Sequence, residues 1–316
     1  MKSILVPLLL VSISGLGAQT PQDASQPTSN FDSYTLSSSA SFGFLYGQSE
    51  EQVYKDEETL LSQLLWDMKP LFSYGSALEL SPLKPIQQEG LFAALSFRFG
   101  FPSRTGVMED RDWMGTGAEL THFSVHDNYT RGATLVDASI GVSIPASLLV
   151  IKAYLAYSYM FFAWYGQDGY GDYSSGRQFF SGAVISYSQM WNMVLGGIAV
   201  SYPFLDVFNV SAALQLGTVV SYSAQDDHLT TKTQYTDTAR GGLLLEPRFE
   251  FTWSPVSKLG VALSIGYRRI SALKGTSVAI WQGSSSTSGN NPPQSAGVIG
   301  AAYSVLDAGL SIKVRF

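Results

Sequence analysis

Residues 105–115 read TGVMEDRDWMG and place three acids within four positions, Glu109, Asp110 and Asp112. Only 14% of the chain is charged, so this is a local crowd of like charge. Carboxylates held side by side raise each other's proton affinity and titrate as a unit. Much further along, residues 225–229 read QDDHL. Asp110 and Asp112 are two positions apart, and so are Asp226 and His228. On an extended backbone, residues two apart point to one side. An Asp beside a His orients the ring and favours its charged form. A water between an Asp–His pair and an Asp–Asp pair would meet a base on one side and carboxylates on the other. That layout suits attack of water on a carbonyl carbon. Acidic clusters also occur as solvated surface or as seats for a divalent cation, and the spacing alone leaves those readings open.

Such chemistry needs a scaffold that brings two distant segments together. Alternation says which. In SVLDAGLSIKVRF, residues Leu306, Ala308, Leu310, Ile312, Val314 and Phe316 fall on one face, and Asp307, Ser311, Lys313 and Arg315 on the other. The same dyad sets Leu243, Leu245, Phe249, Phe251 and Trp253 against Glu246, Arg248 and Glu250. It recurs at Val261, Leu263, Ile265 and Tyr267, with Arg268 opposed, and at Leu91, Leu95, Phe97 and Phe99, with Arg98 opposed. A period of two marks strands with one greasy and one polar face. These runs are roughly 10–20 residues, well beyond the usual ~5–6 of soluble sheets.

The 316-residue chain opens MKSILVPLLLVSISGLGAQT. A lysine, a short apolar run and small residues near Ala18 read as a signal peptide over 1–18, leaving 19–316 as the exported domain. No later window offers 18 unbroken apolar residues, so no transmembrane helix is expected. The absence of cysteine leaves no disulfide or thiolate metal site. A net charge of −6 argues against a nucleic-acid partner. Long alternating strands behind a signal peptide fit an all-β, ten-stranded antiparallel transmembrane β-barrel with long extracellular loops. The strands are expected at about 33–46, 60–80, 88–102, 129–144, 149–165, 181–202, 206–223, 237–253, 258–272 and 297–316. Pro70 inside the second marks a bulge or bend. Even-numbered connections are short and odd-numbered ones long and polar, which defines the two ends. MEDRDW falls in the third connection and QDDHL in the seventh, so both lie at the outer rim, nearly across the mouth from each other. His122 and His126 are expected to be solvated there. Glu246, Arg248, Glu250, Arg268, Lys313 and Arg315 are expected to form ion pairs in the lumen.

EDRDWM followed by DDH on such a barrel resembles the omptin family of outer-membrane endopeptidases, with further likenesses in YGQSEEQVY at 46–54, DNY at 127–129 and LKG at 273–275. The resemblance implies strands that extend above the membrane and an aspartyl-type endopeptidase site at the outer mouth. It implies hydrolysis by activated water, with no metal, other cofactor or covalent intermediate. Asp110, Asp112, Asp226 and His228 match the family's catalytic motifs. His228 would be the base, oriented by Asp226; Asp110 and Asp112 would hold the water and the developing oxyanion. The family cuts polypeptide substrates beside basic residues, using two acids in the pocket for the residue before the cut. Glu51 matches the first, but Ala224 stands at the second. A lone carboxylate holds Lys or Arg less tightly than a pair. Family members also need lipopolysaccharide, held by basic residues outside strand five. LAYSYMFFAWYG at 155–166 carries none, so that dependence is not expected among its outer-membrane lipid contacts. The alternative is a non-catalytic outer-membrane barrel acting as adhesin, structural protein or narrow channel.

Overall fold

A computed structural model describes residues 34–55, 59–83, 89–114, 119–281 and 294–316. The signal peptide expected at 1–18 lies outside the described residues. The strands are β1 (Tyr34–Tyr54), β2 (Leu60–Pro82), β3 (Gly90–Gly100), β4 (Ser103–Asp112), β5 (His122–Ala146), β6 (Leu149–Tyr173), β7 (Gly176–Phe179), β8 (Ala183–Phe204), β9 (Phe208–His228), β10 (Thr233–Val256), β11 (Leu259–Trp281) and β12 (Gln294–Arg315). β3 and β4 occupy one position in turn, since both lie between β2 and β5. β7 is a four-residue partner at the tip of β6. That leaves a ring of ten positions, closed where β1 pairs antiparallel with β12. Closure gives the strands hydrogen-bond partners on both sides, as a bilayer demands.

Phe42, Leu78, Leu91, Ile140, Leu155, Ile198, Leu263 and Leu310 are exposed on the outside of the ring. Apolar surface in that quantity belongs against lipid, so the fold is the expected transmembrane β-barrel. At one end the strands are joined by short turns, as between Ala146 and Leu149 or Val256 and Leu259. At the other end the strands run on, well past the expected limits. β1 continues to Tyr54 and β9 to His228, so YGQSEEQV and QDDH are strand rather than loop.

Bulges explain the difference. Alternation slips near Pro70 on β2, between Thr130 and Gly132 on β5, around Val220 on β9, between Gly241 and Leu244 on β10 and between Ile270 and Leu273 on β11. An extra residue on one strand shifts every later side chain to the opposite face. On β9, Leu214 and Leu216 are exposed and Val219 is buried, yet Tyr222, Ala224 and Asp226 are buried beyond the bulge. The dyad breaks in phase there, and the strand reads as finished.

The lumen is filled. Arg98 pairs with Asp307 at 2.6 Å. Arg268 donates to Glu246 at 2.7 Å and to Asp137 at 3.3 Å, and Arg248 also pairs with Glu246. Lys313 meets Glu250 at 2.6 Å. The expected lumen pairs therefore form, except that Arg315 is exposed at the end of β12. A cavity of about 20 Å³ remains beside Arg268. Above lies an aromatic layer. Trp66 stacks on Tyr187 at 5.0 Å, Phe162 on Trp164 at 5.2 Å, and Trp191 meets Tyr222 edge-on at 4.5 Å. All six are buried and form the floor of what stands above.

Candidate active site

β4 rises from a break at Phe101–Pro102 and carries a second bulge between Arg104 and Gly106. Gly106 has φ +114°, and a Cβ there would lie 2.7 Å from Asp67 Cβ. Glycine alone suits that spot. Beyond the bulge, Met108 is fully buried, and the dyad puts Asp110 and Asp112 on the same inner face. Glu109 and Arg111 take the other face and pair at 2.5 Å. The crowded trio of acids is thus split, two inward and one neutralised outside.

Across the mouth, β9 turns Ala224, Asp226 and His228 inward, while Asp227 accepts outer-face hydrogen bonds from Gln225 and Gln234. A hollow of about 410 Å³ lined by Arg131, Ser186, Gln225 and Asp227 lies on that other face. β4 and β9 stand four steps apart around the ring. His228 Nε2 meets Asp226 Oδ2 at 2.8 Å. Tyr235 packs edge-on against the imidazole at 5.2 Å. Ser62, opposite Asp112 on β2, donates to Asp110 Oδ1 at 3.3 Å.

The two walls act on each other's protons. Burial pushes the Asp110 carboxyl up to about 7; Asp112 and Asp226 add to the rise, and His228 opposes it. Burial also raises Asp112, with Ser62, His122 and His228 working against the shift. Burial would lower His228, but Asp226, then Asp110 and Asp112, outweigh it and push the ring up to about 9. Charges that shift one another this way share a small, poorly hydrated space.

A second set of acids lies beside the first. Glu51 on β1 is 3% exposed and Asp237 on β10 is 1% exposed. Glu51 Oε2, Asp226 Oδ1 and both Asp237 carboxylate oxygens lack hydrogen-bond partners. Burial pushes Glu51 well above the usual carboxylate range, with Asp237 and Asp226 adding to it and Tyr187 opposing. Asp237 rises to about 6, chiefly through burial. Asp237 stands directly opposite Ala224 in the β9–β10 ladder. Sequence reasoning missed it. Its only signal was the hairpin centre at 229–232, which pairs His228 with Thr233 and therefore 224 with 237.

The five expected residues Glu51, Asp110, Asp112, Asp226 and His228 all stand at this end of the barrel. His126 does not behave as expected. It is 2% exposed, bonded through Nδ1 to the Asp168 carbonyl at 2.5 Å and through Nε2 to Ser124 at 3.1 Å. His122 is only half-buried and packs on Tyr173 at 5.3 Å. Among the described residues, no group of three or more His, Asp or Glu is arranged to hold a metal ion.

Fold and site together define a class: an outer-membrane β-barrel with a filled lumen and an acid-lined cleft at one end. Residues 32–314 match the model of the Omptin family, and the chain belongs to that family. The structure is similar to that of the outer membrane protease OmpT from Escherichia coli, with TM-score 0.79, 18% identity, and 89% of this chain and 97% of that chain covered. Fainter likenesses are to the translocator domain of the autotransporter NalP from Neisseria meningitidis (TM-score 0.37, 9% identity, 89% and 88% covered) and to the toluene transporter TodX from P. putida (TM-score 0.32, 8% identity, 89% and 90% covered). No curated protein matches the chain. Family and fold put the protein in the bacterial outer membrane.

Proposed function

We propose that the protein is an outer-membrane endopeptidase of aspartyl type whose cleft opens to the cell exterior. Short turns at the far end suit the periplasmic side, and the extended strands suit the outside. The observation that carries the reading is the cleft itself: His228 and Asp226 on one wall and Asp110 and Asp112 on the other, each wall shifting the other's protons. The Asp226 carboxylate accepts the Nε2–H of His228, which leaves Nδ1 to take a proton. In the proposed step, a water bound between the walls gives its proton to Nδ1 as its oxygen bonds to the scissile carbonyl carbon. Protonated Asp110 donates a hydrogen bond to the oxyanion. Collapse breaks the C–N bond, and the imidazolium returns the proton to the leaving amine.

Glu51 is proposed to line the pocket for the residue before the cut. Polypeptides are the substrates, and outer-membrane lipids surround the barrel; cleavage without added lipopolysaccharide is the expected outcome. Ion pairs and the aromatic layer fill the lumen, which speaks against a channel, so single-channel recordings should show no steady conductance. A digest of a peptide library by refolded wild type beside His228→Ala tests the main reading, with cut sites read by mass spectrometry. Wild type should cut and His228→Ala should not. Equal cutting by both, or none by wild type, would refute it.

A further inference from the structure

The acids beside the proposed catalytic group have a task that hydrolysis does not use. We propose that Asp237 and Glu51 together hold the Lys or Arg side chain of the residue before the cut, Asp237 supplying from β10 the carboxylate that Ala224 lacks. This inference rests on the protease reading.

Buried carboxylates are ordinarily paired or hydrogen-bonded, and leaving one bare carries a penalty of a few kcal/mol. Here Asp237 is almost fully buried, neither of its oxygens nor Glu51 Oε2 has a partner at full hydrogen-bond geometry, and the nearby Ser277 and Tyr187 hydroxyls offset their burial only in part, so both acids stay raised. The charged groups that act on Glu51 are themselves acids: Asp237, Asp226 and Asp110. Such a place is built for a cation that arrives from outside. Residues directly opposite on paired strands have Cβ atoms about 5 Å apart. Moving a carboxylate from 224 to 237 therefore shifts it by one strand and keeps it at the same level of the ladder. Tyr187 and Tyr222, hydrogen-bonded to each other at 2.8 Å, belong to the buried aromatic floor and help keep these acids poorly hydrated. Acids on separate walls suit an elongated organic cation, and they do not form a metal-ligand group.

With no cation beside them both acids hold their protons more tightly, because burial raises them. A bound cation must expel those protons, so its affinity should rise as pH passes through about 6.

The test uses the refolded full chain in detergent micelles. Matched peptides carry Arg or norleucine before the cut, and kcat/KM is measured for each. Wild type should favour Arg. Asp237→Asn should lower the Arg-to-norleucine ratio at least tenfold, mainly through KM, and Glu51→Gln likewise. Ala224→Asp added to Asp237→Ala should restore the ratio, which a merely structural role for Asp237 would not allow. A second arm needs no cleavage: His228→Ala protein is titrated with N-acetyl-arginine amide and with calcium. Arginine amide should bind, and the added Asp237→Asn should weaken it tenfold. An unchanged ratio in Asp237→Asn, preference for norleucine, or binding of calcium in place of the arginine amide would overturn the assignment. If wild type cuts neither peptide, the protease reading fails and the binding arm still decides the pocket.

Discussion

Two groups of buried charge lie in one barrel, and they are built on opposite plans. In the lumen, Arg98, Arg248 and Arg268 face Asp137, Glu246 and Asp307, three cations against three acids, tied by salt bridges. At the mouth, five acids, Glu51, Asp110, Asp112, Asp226 and Asp237, face the imidazole of His228, with His122 acting only on Asp112, and four of their oxygens have no partner. The first arrangement satisfies itself and needs nothing from outside. The second is left incomplete by the fold. Balanced charge holds the cylinder together, and unbalanced charge is poised for a visitor. Polar groups in low dielectric are stabilising when fully paired and expensive when they are not. A chain that keeps the expensive kind in one place has a use for it there.

Breaking each group should therefore have different consequences. Replacing Asp226 by Ala should lower kcat by about 10²–10⁴-fold while the barrel still forms, read by peptide cleavage beside unfolding in denaturant. Arg268→Met should do the reverse. It strands Asp137 and leaves Glu246 with Arg248 alone, and should destabilise the barrel by about 3 kcal/mol, with any surviving folded protein still cutting peptide. If Arg268→Met abolishes cleavage at full stability, the division between the two groups is wrong. Gly106→Val tests how the mouth is phased. The left-handed φ and the 2.7 Å approach to Asp67 leave no room for a side chain, so stability should fall by about 1–3 kcal/mol. Cleavage should fall with it, since the bulge decides that Asp110 rather than Glu109 faces inward.

The smallest effect concerns stability and pH. The folded-state pKa of Asp237, about 6, lies above the ordinary carboxylate value. Its contribution to stability is thus complete below the unfolded pKa and is lost as pH rises through about 6. Asp237→Asn should remove that fall and leave the protein about 1–3 kcal/mol more stable than wild type at pH 8. Denaturant midpoints across pH 4–8 check it. Parallel curves for the two proteins would mean that Asp237 is not burdened by its burial.

How far these features were legible in the sequence follows from the same contrast. Around the membrane belt, lipid on one side and polar lumen on the other write a clean dyad, so Leu263 and Arg268 announced their faces. Above the belt, neither face meets lipid, and bulges at Pro70, Val220 and Gly241 reverse the phase. Strands there read as loops, and His126 read as solvated although β5 buries it. The pairs Asp110–Asp112 and Asp226–His228 were legible because two residues of one short strand need no partner strand to share a face. Which of Glu109 and Asp110 faces in was not legible, because Gly106 sets it. Asp237 was hidden for a similar reason. Its place opposite Ala224 depends on where the β9–β10 hairpin turns, not on any motif around it.

The account turns on one proton shared across the mouth between His228 and Asp110. The direct test is the pH profile of kcat/KM for wild type and Asp110→Asn on one peptide. Wild type should be most active where a single proton is shared, rising through about 7 and falling through about 9. The residual activity of Asp110→Asn should lack the limb near 7. A flat wild-type profile over that range, or a limb near 7 that survives in Asp110→Asn, would contradict the account.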